Sequence, residues 1–445
     1  MRVLSSSTLS SPRPDSALVL SRVTRRLIPF AFICYVVAYI DRVNIGFAAR
    51  ELQHDLSLSA TEYGLGAGLF FLGYCLFEIP SNLMLERVGA RLWIARIMIV
   101  WGLVSMATMF IYDVSSFMIA RIVLGIAEAG FFPGMVLYLT YWIPAHERAR
   151  ANALFMTAAP VSVIVGAPVS EALLSMHGIG GLRGWQWLFL LEGLPAVILG
   201  VVALKVLTDR PEEADWLPPA ERDWLAETMN AERALRKDTG HASVGRSLRS
   251  GRVWLLSTVY LMNASVTYGI FLWLPRMLQD TAGPGVSVSW LTALPFVAAL
   301  IAMVLIGRHS DRTGERKFHV AACAITAAIG LFLAVAFRSN LYLLVLAFAI
   351  CQIGQRSVMS VFWTIPPMLL SGSAAAAGIA LINAIGNLGG FFGPTVMGTL
   401  RDATGGYSGG LLVLAGMLIL EAILVSMLKL PDTRSAARSP QPAAR

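Results

Sequence analysis

Apolar blocks of membrane-crossing length recur twelve times along this chain, and no other feature limits its fold as tightly. A helix rises about 1.5 Å per residue, so about 20 apolar residues cover the roughly 30 Å hydrocarbon layer of a bilayer. The blocks fall at 27–48, 62–84, 93–112, 117–142, 150–174 and 186–207, then at 253–274, 287–307, 318–337, 341–363, 374–400 and 408–429. Composition agrees: 56% of the 445 residues are hydrophobic and 14% charged, against about 25% charged in an ordinary soluble domain. The pattern predicts an all-α membrane protein with twelve transmembrane helices, and its ligand environment is the lipid bilayer.

The formal net charge of +8 could suggest a nucleic-acid partner, but its distribution points elsewhere. Most Lys and Arg lie in the tails and alternate loops: Arg25 and Arg26, Arg87 and Arg91, Arg148 and Arg150, the central loop, then Arg308, Arg312, Arg316 and Lys317. That alternation is the positive-inside pattern and puts both termini in the cytoplasm. No nucleic-acid partner is expected. The first 26 residues lack the pattern of a cleaved signal peptide. Cys34, Cys75, Cys323 and Cys351 all lie in apolar spans without metal spacing and read as small core residues. No metal or other cofactor is expected.

One long polar connection, residues 208–252, divides the chain into halves at 27–207 and 253–429, with tails at 1–26 and 430–445. It carries the pattern of one short amphipathic helix around residues 220–237. The halves repeat one another. After span two comes "LERVGARLW", with Glu86, Arg87, Gly89 and Arg91; after span eight comes "SDRTGERKF", with Asp311, Arg312, Gly314 and Arg316. The order acid, Arg, any residue, Gly, any residue, Arg recurs at an offset of 225 residues (Asp311 against Glu86). A short charged loop with a Gly suits a tight cytoplasmic turn. Its acid can meet a neighbouring helix end while its arginines stay with headgroups. Positive-inside loops alone would explain the arginines, but not the matched order. With twelve spans and two halves, this motif resembles the loop signature of the major facilitator superfamily over the whole chain, although Glu86 replaces the commoner Asp. The resemblance implies two pseudo-symmetric six-helix bundles that rock about a central site.

Ionisable groups in mid-membrane cost at least about 2.5–3.5 kcal/mol each, so each raises a functional question. The clearest are Asp41 and Arg42 in "YVVAYIDRVNIGF", Arg121 and Glu128 in "IARIVLGIAEAGFFPG", and Arg356 in "ICQIGQRSVMSVFW". Glu78, Glu171, Glu192 and Glu421 also lie in apolar sequence, but nearer span ends or in less telling company. At about 100° per residue, Arg121 and Glu128 share one face with Gly125 between them, leaving room for a ligand or another helix. Tyr35, Tyr39, Arg42 and Gly46 share a face of span one, with Asp41 and Asn44 looking sideways. Gln352, Arg356, Met359 and Trp363 align in span ten, and Tyr260, Asn263, Thr267 and Phe271 in span seven. Spans one, four, seven and ten occupy corresponding places in the repeats, and in the resembled superfamily they line the central cavity. A purely structural network, Asp41 with Arg121 or Arg42 with Glu128, is the alternative.

The strings "YIDRVN", "SNLMLERVGARLWIARI" and "FWTIPPMLLSGSAAAAGIALINAIGNLGGFFGP", with the Arg and Glu of span four, resemble the anion:cation symporter family. Its bacterial branch includes permeases for tartrate, phthalate, hydroxyphenylacetate and sugar acids. The resemblance implies proton symport of a small organic anion across a bacterial inner membrane, by a monomer that is not an enzyme. It assigns proton coupling to Asp41 and Glu128, carboxylate binding to Arg42, and a charge partner to Arg121. The chemistry is compatible: a guanidinium presents a fixed fork to a carboxylate, and an anion arriving on Arg42 would compete with the buried carboxyls for that charge.

For the opposite wall, Gln352, Ser360 and Trp363 could stack on or hydrogen-bond a small acid, and Asn383 and Asn387 could recognise hydroxyl or carbonyl groups. Equally, the two asparagines could fasten helices and Trp363 could be a packing aromatic. Tyr74 is placed to reach the cavity. Arg356 reads either as a second carboxylate clamp or, preferably, as a group near the cytoplasmic mouth paired with loop residues. Pro133, Pro160, Pro168 and Pro394 read as kinks. Rival readings are a drug–proton antiporter, an organophosphate antiporter and a transporter-like sensor. Span five lacks the full Gly-Pro signature of the first, and span seven has no internal cation for the second.

Overall fold

The computed structural model describes residues 14–237, 249–283, 286–370 and 373–430. The start of the amino-terminal tail, the stretch 238–248 of the central loop and the carboxyl tail from 431 lie outside the described residues, as does the Arg150 side chain. All regular structure among the described residues is helical. Twelve helical segments are long and apolar enough to cross a bilayer: Ser16–Asp55, Ala60–Val88, Ala90–Phe110, Val114–Trp142, Ala151–Leu174 and Gly184–Val206, then Gly251–Ala282, Ser289–Thr313, Lys317–Ala336, Leu341–Leu369, Gly378–Thr404 and Ser408–Ser426. They are spans one to twelve in this order. Side chains such as Leu76, Ile301 and Ile423 are more than half exposed and face the hydrocarbon.

Helix packing repeats between the halves. Spans three and six, two and four, and one and five pack together, and so do nine and twelve, eight and ten, and seven and eleven. Each pair is the counterpart of another six spans later. Two crossings join the halves with the same symmetry, two with eleven and eight with five, beside a central contact of one with seven. The crossing of two and eleven is close because it is built on glycine. A Cβ on Gly398 would stand 2.2 Å from the Ala60 carbonyl oxygen, and one on Gly64 would stand 2.4 Å from that of Pro394. In lipid, helices gain little from apolar burial, so this backbone proximity is what association rests on.

Span one departs from its expected bounds. It begins at Ser16, not near residue 27, and runs for 40 residues. Asp15 caps it by accepting from the Ala17 amide at 3.0 Å. The extra turns are amphipathic: Val19 and Val23 are fully buried, Arg22 pairs with Glu221 at 2.5 Å and Arg26 lies 4.7 Å over Trp216. What composition assigned to a tail is therefore helix docked on the central loop. That loop's amphipathic helix spans Pro219–Lys237, and Arg148 meets its Glu232 at 2.8 Å.

Both loop motifs set their Gly at positive φ, but the turns differ, with ψ of 146° at Gly89 and -1° at Gly314. Gly89 has φ of +101° and Gly314 +69°, a region that L side chains rarely adopt. Their acids behave differently from expectation. Glu86 is exposed, and the Asp209 carboxylate accepts from the Arg91 amide at 2.8 Å at the start of span three. Asp311 instead pairs with Arg316 of its own loop at 2.7 Å. Arg87, Arg91 and Arg312 are exposed, as headgroup-facing residues would be.

Span four contains an interruption that its sequence pattern did not reveal. Its helix runs Val114–Glu128, breaks at Ala129 (ψ 131°) and Gly130 (φ +86°), and resumes as Phe131–Trp142. Pro133 was expected to kink the span, but it sits in the first turn of the second piece, where a missing N–H matters least. The break itself falls on Gly130.

Candidate functional site

At the centre, Arg42 of span one and Glu128, the last residue of the first span-four helix, form an ion pair, Nη2 donating to Oε1. Arg42 is 7% and Glu128 1% exposed. Of the two internal pairings considered, this is the one formed. The guanidinium carbon lies 5.2 to 5.4 Å from the ring centres of Tyr39, Phe70 and Tyr74. Aromatic faces thus hold the cation while its Nε has no hydrogen-bond partner. Tyr74 reaches the cluster, as does Tyr39.

Arg121 also contacts the Phe70 ring, at 5.0 Å. It is 1% exposed, and none of its three guanidinium nitrogens has a hydrogen-bond partner. The face around Gly125 is taken by span two, since a Cβ there would lie 2.0 Å from the Phe70 carbonyl oxygen. Another helix, not a ligand, occupies the opening expected there.

Asp41 points away from Arg42, as its helical position implies. Its carboxylate accepts from Trp101 Nε1 at 2.7 Å, from Asn44 Nδ2 at 3.0 Å and from the Ser105 hydroxyl. It forms no ion pair within 4.0 Å among the described residues. Two of its donors come from span three, which the sequence reading left without a role. Trp101 and Ser105 carry no charge to mark them, so their partnership with span one is legible only after packing.

Asn383 and Asn387 of span eleven donate to Glu78 of span two, at 2.8 and 3.5 Å. Here they fasten one half to the other. Glu78 lies near the predicted end of its span, and its one sequence signal is a lone charge in apolar sequence. Trp363 packs edge-on against Tyr260 at 5.1 Å, and Ser360 donates to the Ser357 carbonyl of its own helix at 2.8 Å. Gln352 is buried and its Oε1 has no partner.

Arg356 corrects the preferred expectation. Among the described residues it pairs with no loop group: it is 8% exposed and lies 5.4 Å over both Phe271 and Phe296. The one-turn offsets of span ten bring it to the seam with spans seven and eight, away from the mouth. Tyr39 meets Phe271 edge-on at 6.2 Å. A run of rings therefore joins Arg42 of one half to Arg356 of the other. Two buried carboxyls complete the polar interior, Glu192 of span six and Glu421 of span twelve; both lie at positions first judged uninformative.

At the end where spans one and two meet, the halves are tied by Asp402, which accepts from the Thr61 amide at 2.7 Å and the Ala60 amide at 3.1 Å. A cleft of about 620 Å³ opens there, lined by Arg50, His54, Arg276, Arg401 and Asp402.

The sequence matches the family profile described as Major Facilitator Superfamily over residues 31–287 and 277–445. It is 49% identical over 425 residues to a "Putative tartrate transporter" of Agrobacterium vitis, covering 94% of each chain. It is 40% identical over 407 residues to a quinolone resistance transporter of Acinetobacter baumannii, covering 91% of this chain and 94% of that one. Among solved structures, the inward-open xylose transporter XylE from E. coli superposes with a TM-score of 0.74 at 15% identity, covering 92% of this chain and 98% of that one. Twelve spans, packing that repeats between the halves and the profile match over both of them agree: the chain belongs to the major facilitator superfamily.

Proposed function

We propose that this protein imports a small organic dicarboxylate together with protons, by alternating access of a central site between its two halves. The observation that carries the reading is the buried Arg42–Glu128 pair in its aromatic cage, joined through Tyr39 and Phe271 to the unpaired Arg356. A cation from each half suits a ligand with a carboxylate at each end, and relatives named for tartrate support that class. Arg42 and Arg356 take the two carboxylates. Glu128 accepts a proton as it gives up Arg42, so proton binding frees the cation that the anion needs. Arg121 holds positive charge behind that exchange. The protein sits in a bacterial inner membrane with both termini cytoplasmic, acts as a monomer and needs no cofactor beyond the coupling proton.

The quinolone resistance relative favours a second reading, drug export by proton exchange on the same scaffold. Proteoliposomes separate the two. With an outside-acid gradient, uptake of labelled tartrate against its own gradient, with acidification of the lumen, is expected. Tartrate movement indifferent to the proton gradient, together with proton-driven quinolone movement in the opposite sense, would replace the first reading by the second.

A further inference from the structure

Glu192 lies near the middle of the span-six helix, 4% exposed. Its Oε1 accepts from Ser170 of span five at 2.7 Å, and its Oε2 has no hydrogen-bond partner. From span one, the Asn44 amide faces it, with Asp41 just beyond. Its chain neighbour Gly193 packs on Gly102 and Met106 of span three, which carry no charge. No Lys or Arg lies within 4.0 Å of Glu192 among the described residues. The same Asn44 donates to Asp41 at 3.0 Å, so one amide stands between two buried carboxyl groups.

We propose that Glu192 is a proton-binding site of this transporter, forming with Asp41 a carboxyl pair, with Asn44 between them, that carries one proton between its two members. Two ionised carboxyls sharing a buried site repel, and among the described residues neither has a cation within 4.0 Å to offset its loss of water; the Arg121 guanidinium of span four faces Asp41 from further off. The hydrogen bonds say which member holds the proton. Asp41 accepts from three donors, the surroundings of a carboxylate; Glu192 accepts from one hydroxyl and keeps an oxygen free, the surroundings of an acid. The proton comes from the aqueous phase and returns to it, converting Glu192 between acid and carboxylate. Asp41 then contributes to coupling through Glu192, with its own charge fixed. This inference rests on the proton-symport reading.

Glu421 of span twelve is the counterpart that lacks this arrangement. The Asn263 amide donates to both its oxygens, at 3.2 and 3.4 Å, and Gln355 donates to Asn263 at 3.2 Å. Among the described residues no second carboxyl completes a pair.

The test is the proton-to-anion ratio, measured as a reversal potential with tartrate in proteoliposomes of the full-length chain. Glu192→Gln should lower the ratio by one proton, Asp41→Asn by one, and the double variant by one, whereas Glu421→Gln leaves it unchanged. A wild-type protein that moves tartrate without protons defeats the symport reading itself. A coupled wild type whose ratio survives Glu192→Gln, or a double variant that loses two protons, overturns the shared-proton pair alone. Should Glu192→Gln not fold, Ser170→Ala keeps both carboxyls. Its proton uptake without tartrate, read by an indicator dye, should move along the pH axis by at least half a unit; an unmoved curve overturns the proposal.

Discussion

The amino-terminal and carboxyl-terminal halves share one packing plan and differ in charge. The first buries Asp41, Arg42, Glu78, Arg121, Glu128 and Glu192; among the described residues the second buries only Arg356 and Glu421. Where the first half places an ion pair, the second places Asn263, Gln355 and Thr267 in a neutral network, Gln355 donating to both of the others. The lesson is that helix packing in lipid is set by small residues and backbone proximity, which both halves keep. Charge is an addition that each half takes or leaves. Under the proposed symport, titratable groups are needed in one wall only, provided the other wall supplies a fixed cation.

The largest expected effect comes from breaking the charged half. Arg42→Ala leaves Glu128 buried without its cation, a loss of about 3–5 kcal/mol. Its carboxylate contact goes too, and at 1.4 kcal/mol per tenfold a charge-assisted contact at the top of the about 1.5–3 kcal/mol range puts initial uptake at matched folded protein about 100-fold lower. Next, Glu128→Gln should keep exchange of tartrate across the membrane while losing accumulation driven by the proton gradient, read by counterflow and by uptake in the same vesicles. Accumulation at the wild-type level would remove Glu128 from coupling.

The neutral half should respond more mildly. Arg356→Ala should weaken tartrate about tenfold, the low end of the about 1.5–3 kcal/mol expected for one charge-assisted contact. It should leave a monocarboxylate analogue nearly unaffected. Equal loss for both acids would make Arg356 a packing cation, and a loss as large as that of Arg42→Ala would erase the contrast between halves. Smallest of all, Glu421→Gln should change thermal stability by less than about 1 kcal/mol and leave uptake within about twofold, since it removes no charge partner.

Much of this was legible beforehand. Length and period gave the spans, and the charged loop motif gave the repeat, because both are local properties. Helical angle separated Arg42 from Asp41 on span one, and the structure keeps that separation. Legibility ended where partners come from another helix. Trp101 and Ser105 are ordinary span residues until span three is laid against span one. Asn383 and Asn387 offered two readings that only the position of Glu78 could distinguish. Arg356 went to the wrong place because a lone arginine in apolar sequence says nothing about which rings surround it. Glu192 looks uninformative for its nearness to the predicted span edge, although burial depends on neighbours more than on depth.

The break at Ala129 and Gly130 carries a consequence that concerns backbone alone. A helix that stops in the hydrocarbon layer strands the carbonyl groups of its last turn, and lipid tails offer them nothing. Such an end is admissible only against protein donors or water. The interruption therefore fixes, without reference to any side chain, the depth at which moisture or a neighbour must meet span four, and Glu128 stands at that level.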